Sequence, residues 1–201
     1  MPSELTEDEN KGRSRNPVIV ISGPPGSGKT TYAKRLSVDF SLPYHSAGKI
    51  FREIARSKGV SLIELSQLAE KNSSIDILID RTTLERALSG GGVIEGHLSA
   101  FVLADVADLS IYINAPLDTR VRRIVERESR SLLDVARETI AREESQYLRF
   151  LSLYGVDINI YSRFDLVINT GKLGINTVYS LIKEATLEVL GKFKLGEPGN
   201  P

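Results

Sequence analysis

A chain of 201 residues, 41% of them hydrophobic, carries enough apolar material for one sizeable α/β domain with room for inserted lobes. Its 26 basic and 26 acidic side chains cancel, which argues against a global attraction to nucleic acid or to a membrane surface. The absence of cysteine excludes disulfides and thiolate metal sites and fits a reducing compartment. No apolar run approaches the ~20 residues of a membrane span, and the acidic, polar start is unlike a signal peptide. These features make a cytoplasmic protein the expectation.

In chain order, residues 1–16 are almost all polar, charged, Gly or Pro and are expected to form a disordered tail. Val18 to Ile21 is a short β-branched run that reads as a buried parallel strand, and it leads into Gly23-Pro24-Pro25-Gly26-Ser27-Gly28-Lys29-Thr30-Thr31. Gly23 to Thr30 satisfies G-x-x-x-x-G-K-[ST] at every fixed position, between a strand and a helical pattern. That combination is a phosphate loop. Backbone N–H groups and the helix N-terminus cradle the anion, Lys29 reaches the β- and γ-phosphates of a nucleoside triphosphate, and the Thr30 hydroxyl is suited to ligate Mg²⁺.

A helix with Ala33, Leu36 and Phe40 at helical spacing follows, then a second strand over Leu42 to His45. Ser46 is placed to cap the next helix, Gly48 allows backbone to approach a ligand, and Ile50, Phe51, Ile54 and Ala55 form its apolar stripe, with Arg52 off that stripe. Ser61 to Ser89 stays helical with a break at Lys71 to Ser74, so residues 48–89 make a helical lobe between strands. A third strand is predicted at Val93 to Gly96, a fourth at Leu109 to Ala115 and a fifth at Phe164 to Asn169. Helices over Leu117 to Glu128 and Asp134 to Tyr154 lie between the last two, with a lid at about 128–152. A closing helix, Val178 to Leu190, precedes a frayed end at 191–201, and the single domain is expected to occupy 17–190.

Strands alternating with helices after a phosphate loop imply a five-stranded parallel sheet covered on both faces, with ligands beyond the carboxyl ends of the strands. Ser46, Glu95, Gly96, His97 and Asn169 then share a rim with the loop. Glu95 is suited to orient a Mg²⁺-bound water or the acceptor, or merely to cap a helix. His45 and His97 have neither the partners of a metal site nor those of a catalytic triad. Arg120, Arg123 and Arg127 form one cationic stripe and Arg142, Ser145 and Arg149 another, the plain alternative being solvated Glu–Arg pairs such as Glu138 with Arg142. In the helical lobe, Asp76 and Asp80 sit at i and i+4 with Arg81 adjacent, acceptors and a donor able to face one pocket and suited to the polar edge of an acceptor substrate, the plain alternative being that Asp76 caps this helix and Asp80 pairs with Arg81 or Lys71.

The segments GPPGSGKTT, SAGKIFREIA at 46–55, IDILIDRT at 75–82, EGHLSAF at 95–101, REES at 142–145, YGVD at 154–157 and FDLVINT at 164–170 resemble the archaeal-type cytidylate kinases from about residue 17 to 190. The resemblance implies a P-loop kinase fold with an inserted acceptor-binding lobe and a lid, phosphorylating CMP and dCMP at the expense of Mg·ATP. It implies acceptor contacts for Ser46, Gly48 and Arg52 and lid roles for Arg120, Arg123, Arg127, Arg142 and Arg149, with Arg120 near ATP. His97 stands where many relatives have arginine. The other readings are a kinase for UMP, AMP or shikimate, and an ATPase that switches assembly partners. A monomer or weak homo-oligomer is expected.

Overall fold

The computed structural model describes residues 16–195, those beyond Gly191 by their backbone only. Five strands, β1 (Val18–Ser22), β2 (Tyr44–Ser46), β3 (Gly92–Glu95), β4 (Leu109–Asn114) and β5 (Leu166–Asn169), form one parallel sheet in the order β2-β3-β1-β4-β5. β1 is wholly buried, as a β-branched central strand covered on both faces must be. On one face α1 (Lys29–Asp39) and α8 (Ile175–Leu195) bring Tyr32, Leu36, Val178 and Ile182 against Ile19, Ile21 and Ile111. On the other, Ala87 of α4 (Ser74–Gly90) and Ala100 of the short α5 (Ser99–Val102) close over Val18, Val20 and Ile94.

The helices α2 (Ala47–Lys58), α3 (Leu62–Lys71) and the first half of α4 build a smaller core of their own from Phe51, Ala55, Leu65, Ala69, Ile75 and Ile79. Ser46 caps α2 by accepting from the Lys49 amide at 3.1 Å, and Ser61 and Glu64 form a reciprocal capping box on α3. Between β4 and β5, α6 (Leu117–Glu128) packs on the start of α7 (Leu132–Tyr154) through Val121, Ile124 and Val135, while the rest of α7 lies along α3.

Several boundaries differ from expectation: β3 is shifted by one residue to Gly92–Glu95, β4 ends at Asn114, β5 starts at Leu166, and α7 and α8 start at Leu132 and Ile175. The second strand starts at Tyr44, because the Leu42 amide closes the turn that ends α1 by donating to the Ser37 carbonyl at 2.9 Å, and Pro43 has no amide to give to a ladder. The closing helix continues through 191–195, where a frayed end was expected; residues 196–201 lie outside the described residues. The tail expected over 1–16 also lies outside them except for Asn16, whose amide donates to the Gly90 carbonyl at 3.0 Å. Among the described residues no helix is long and apolar enough to cross a membrane.

Candidate active site

A cavity of about 710 Å³ opens at the carboxyl ends of the strands, floored by the loop after β1 and walled by α2, α4, α6 and α7. The loop is shaped by its glycines. A Cβ on Gly23, at φ +141°, would fall 2.0 Å from the Ile113 carbonyl oxygen, and one on Gly26, at φ +77°, 2.6 Å from that of Arg120. The loop is therefore pressed directly onto β4 and α6. α1 begins after the left-handed Gly28 with no side-chain cap, so its first amides are left for a ligand. Pro25, Gly26, Gly28, Lys29, Thr30 and Thr31 line the cavity. Gly23, Pro24 and Ser27 stand behind it: the Pro24 carbonyl accepts from Lys29 Nζ at 2.8 Å, and the Ser27 carbonyl accepts from Arg123 and from the Thr170 hydroxyl. Burial, opposed by Glu95 and reinforced by Arg142, lowers the pKa of Lys29 to about 8.

Glu95, buried at the end of β3, receives three hydroxyl protons on Oε1: from Thr30 at 3.1 Å, Tyr44 at 3.1 Å and Ser46 at 2.6 Å. With its proton so directed, Thr30 Oγ1 keeps lone pairs for a cation, and a hydroxyl beside a carboxylate is a donor set of the hard-oxygen kind that suits Mg²⁺. No cluster of three or more His, Asp or Glu side chains able to hold a metal is found among the described residues. Ser46 does not line the cavity; it works behind it, tying the start of α2 to Glu95. Gly48 and Arg52 do line it, and the absent Cβ of Gly48 leaves space for the Arg52 guanidinium, whose Nη1 would lie 3.4 Å from such an atom.

The arginines separate into two kinds. Arg123, Arg127 and Arg142 line the cavity with Lys29 and Arg52. Arg123 is oriented by Thr170, donating at 2.9 Å to its hydroxyl and at 2.9 Å to its carbonyl. Arg142 has Glu138 at 3.6 Å, and burial together with Arg52 and Arg127 lowers its pKa. Arg120, expected near ATP, is instead buried beneath the loop. It donates to the Ala115 and Pro25 carbonyls at 2.9 and 3.1 Å and grips Glu143 of α7 with both guanidinium nitrogens.

At the far end, Phe51, Ile79 and Phe150 give the cavity an apolar wall, interrupted by Asp76, Asp80 and Arg149. Arg149 Nε donates to Asp76 Oδ2 at 2.8 Å and Nη2 to Oδ1 at 3.4 Å; each side chain is only 5% exposed. The two are thus partners of each other, Asp76 being bound from α7 rather than serving only as a cap. Asp80 accepts from the Tyr154 hydroxyl at 2.7 Å, and burial, with Asp76 adding repulsion, raises its pKa to about 6. Arg81 does not belong to the cavity: it is 77% exposed and pairs with Glu85 one turn on, because position i+1 lies about 100° round the helix from Asp80.

His97 lines the cavity beside Gly96, its Nδ1 donating to Gln146 Oε1 at 2.6 Å. Burial and then the charge of Lys29 lower its pKa to about 3, so it is a neutral imidazole with its other nitrogen unprotonated.

The model for the cytidylate kinase-like family matches residues 18–172. A cytidylate kinase of Staphylothermus marinus is 54% identical over 167 residues, covering 83% of this chain and 94% of that one. One of Desulfurococcus amylolyticus is 49% identical over 173 residues, covering 86% and 94%. The chain belongs to the cytidylate kinase-like family. Among solved structures, a shikimate kinase from Acinetobacter baumannii in complex with shikimate aligns with a TM-score of 0.55 over 86% of this chain and 93% of its own at 16% identity. An uncharacterized protein from Eubacterium ventriosum aligns with a TM-score of 0.62 over 84% and 97% at 20% identity. These likenesses place this cytidylate kinase-like chain in the P-loop kinase fold.

Among the polar groups of this kinase-family site that sequence reasoning missed are Glu143, Gln146, Tyr154 as a partner of Asp80, and Thr170. All are tertiary partners, set by the packing of α7 on α3 and α6 and by the end of β5. A helical-wheel reading of Arg142, Ser145 and Arg149 would have found Gln146 on nearly the same face, one turn beyond Arg142, whereas Tyr154 lies well round the helix from that stripe and gave no such signal.

Proposed function

We propose that this chain is a cytidylate kinase that transfers the γ-phosphoryl group of Mg·ATP to the phosphate of CMP, and of dCMP, releasing ADP and CDP or dCDP. The observation that carries this reading is a single cavity with a phosphate loop at one end, an apolar pocket with acidic groups at the other, and Lys29, Arg52, Arg123, Arg127 and Arg142 among the residues that line it. Such a gradient suits two nucleotides meeting phosphate to phosphate.

In this reading the loop amides and Lys29 hold the β- and γ-phosphates, Arg52 and Gly48 receive the acceptor phosphate, and Arg123 and Arg142 take up charge on the equatorial oxygens as the new O–P bond forms and the bond to ADP breaks. Mg²⁺, held by Thr30 with Glu95 behind it, would supply further neutralisation of phosphate charge. Arg120 acts indirectly, fixing the loop to α7. The helices α2 to α4 are the acceptor lobe and the segment 128–152 the lid. The separate core around Phe51 and Leu65 supports the first assignment, and Arg142 of α7, which lines the cavity and whose charge lowers the pKa of Lys29, supports the second. The base lies against Phe51, Ile79 and Phe150, with Asp80 accepting from its exocyclic amine.

A coupled assay of ADP formation across CMP, dCMP, UMP, AMP, GMP and shikimate tests this. Highest kcat/KM with CMP is expected; turnover confined to another acceptor, or ATP hydrolysis that no monophosphate accelerates, overturns it.

A further inference from the structure

We infer that Tyr154 is a positioning residue that holds Asp80 as a hydrogen-bond acceptor and so sets the preference for cytosine over uracil. The inference deepens the proposed reading and rests on its placement of the base against Asp80.

The two side chains stand one behind the other. Asp80 lines the cavity from α4, whereas Tyr154 does not; its hydroxyl reaches Asp80 Oδ2 at 2.7 Å from the last turn of α7. The ring is fixed by stacking on Phe150, a cavity-lining residue, at 5.8 Å between centroids and 21° between planes. The helix stops immediately after it at Gly155, whose left-handed conformation (φ +65°) allows the chain to turn away. Burial, then the bond to Asp80 and its charge, push the phenol pKa up, so the hydroxyl keeps its proton and remains a donor. A permanent donor on Oδ2 favours the ionised carboxylate and leaves the other oxygen as an acceptor toward the cavity.

Cytosine offers an exocyclic N–H₂ where uracil offers a carbonyl oxygen. An ionised Asp80 accepts from the first and repels the second; a protonated Asp80 can donate to the second. Selectivity therefore follows the protonation of one carboxyl group. The groups that bear on it are Asp76, one turn earlier on α4, which disfavours its charge, and Tyr154 and Arg149 on α7, which favour it. Arg52 on α2 lines the same cavity, and α3 faces this corner with the Ser66 carbonyl that accepts from Arg149 at 3.5 Å. With its pKa raised to about 6, Asp80 is ionised at neutral pH by a margin of only about one pH unit, and the Tyr154 hydroxyl opposes burial in holding it there.

The experiment is kcat/KM for CMP and for UMP between about pH 5 and 9 in the wild-type protein, Tyr154→Phe and Asp80→Asn, with KM for ATP measured alongside. Tyr154→Phe retains the ring and its stack. It is expected to lower the CMP/UMP ratio at neutral pH roughly tenfold, the scale of one hydrogen bond to a charged group. It should also raise the pH at which the preference for CMP is half lost, with KM for ATP unchanged. If Asp80→Asn collapses the ratio but Tyr154→Phe alters neither ratio nor midpoint, or lowers kcat/KM equally for both nucleotides, the inference is overturned while the base reading stands. If Asp80→Asn leaves the ratio unchanged, the base is read elsewhere and both fall.

Discussion

Glu95 Oε1 collects protons from α1, β2 and the cap of α2 at once, so one oxygen joins the phosphate loop to the acceptor side of the cavity. Ser46 serves that junction twice, accepting from the Lys49 amide and donating to Glu95. Ser46→Ala should therefore cost about 2–3 kcal/mol in urea unfolding, the sum of a lost cap and a lost bond to a charged acceptor; a loss no larger than that of an exposed Ser→Ala change would mean Glu95 is held without it. Lys29 gives a second test. Its pKa of about 8 in the free protein means that above that pH the ammonium, which burial disfavours, must be regained when ATP phosphates bind. Binding of ATP in the absence of acceptor should weaken as pH rises above 8, by up to about tenfold per pH unit, and a flat calorimetric profile to pH 9.5 would contradict it. Lys29→Ala should lower kcat by roughly 100-fold or more. The placement of Lys29 and Thr30 at the cavity was legible because the loop motif is local and fixed in spacing. The convergence on Glu95 was not, because Tyr44, Ser46 and Thr30 meet it only when β2, β3 and α1 are side by side.

At the level of elements, α6 and α7 show what periodicity can and cannot reveal. Three-residue and four-residue spacings put Arg120, Arg123 and Arg127 on one face, yet Arg120 is consumed by carbonyls and Glu143 while Arg123 and Arg127 reach the cavity. A stripe specifies a direction, whereas the depth of each residue depends on where the neighbouring loop and helix come to lie. The same argument separates Arg142 from Arg81, both drawn as site residues from spacing alone. Arg142→Lys should lower kcat by roughly 100-fold, since the charge survives but the planar fork does not, whereas Arg81→Ala should leave kcat/KM for CMP unchanged. A steady-state comparison in which the two variants behave alike would dissolve the distinction. The five parallel strands, by contrast, follow from alternation of apolar β-branched runs with helical stripes, whereas their order in the sheet and the short α5 carry no such local signal; boundaries shifted where a turn used up the residues, as at Leu42, and where a helix ran on, as at 191–195.

For the whole molecule the decisive contact is the buried Arg149–Asp76 pair, which ties α7 to α4. Removing one partner strands a charge in the interior: Arg149→Met is expected to cost about 3–5 kcal/mol, and adding Asp76→Leu should recover a large part of it. Equal unfolding midpoints for wild type and single variant would refute the pairing as a stabilising link. α7 makes a series of such ties: Glu143 reaches Arg120 under the phosphate loop, Gln146 reaches His97 at the sheet rim, Arg149 reaches Asp76, and Tyr154 reaches Asp80. From Glu143 to Tyr154 is eleven residues, about 16 Å of helix at 1.5 Å per residue. The helix is in effect a ruler, laid between the corner where phosphate is held and the corner where a base would rest, and its graduations are whole residues. Deleting one residue between Gln146 and Arg149 would shorten that span by only about 1.5 Å but turn its far end by about 100°, so the site cannot be tuned to a longer or shorter acceptor in small steps.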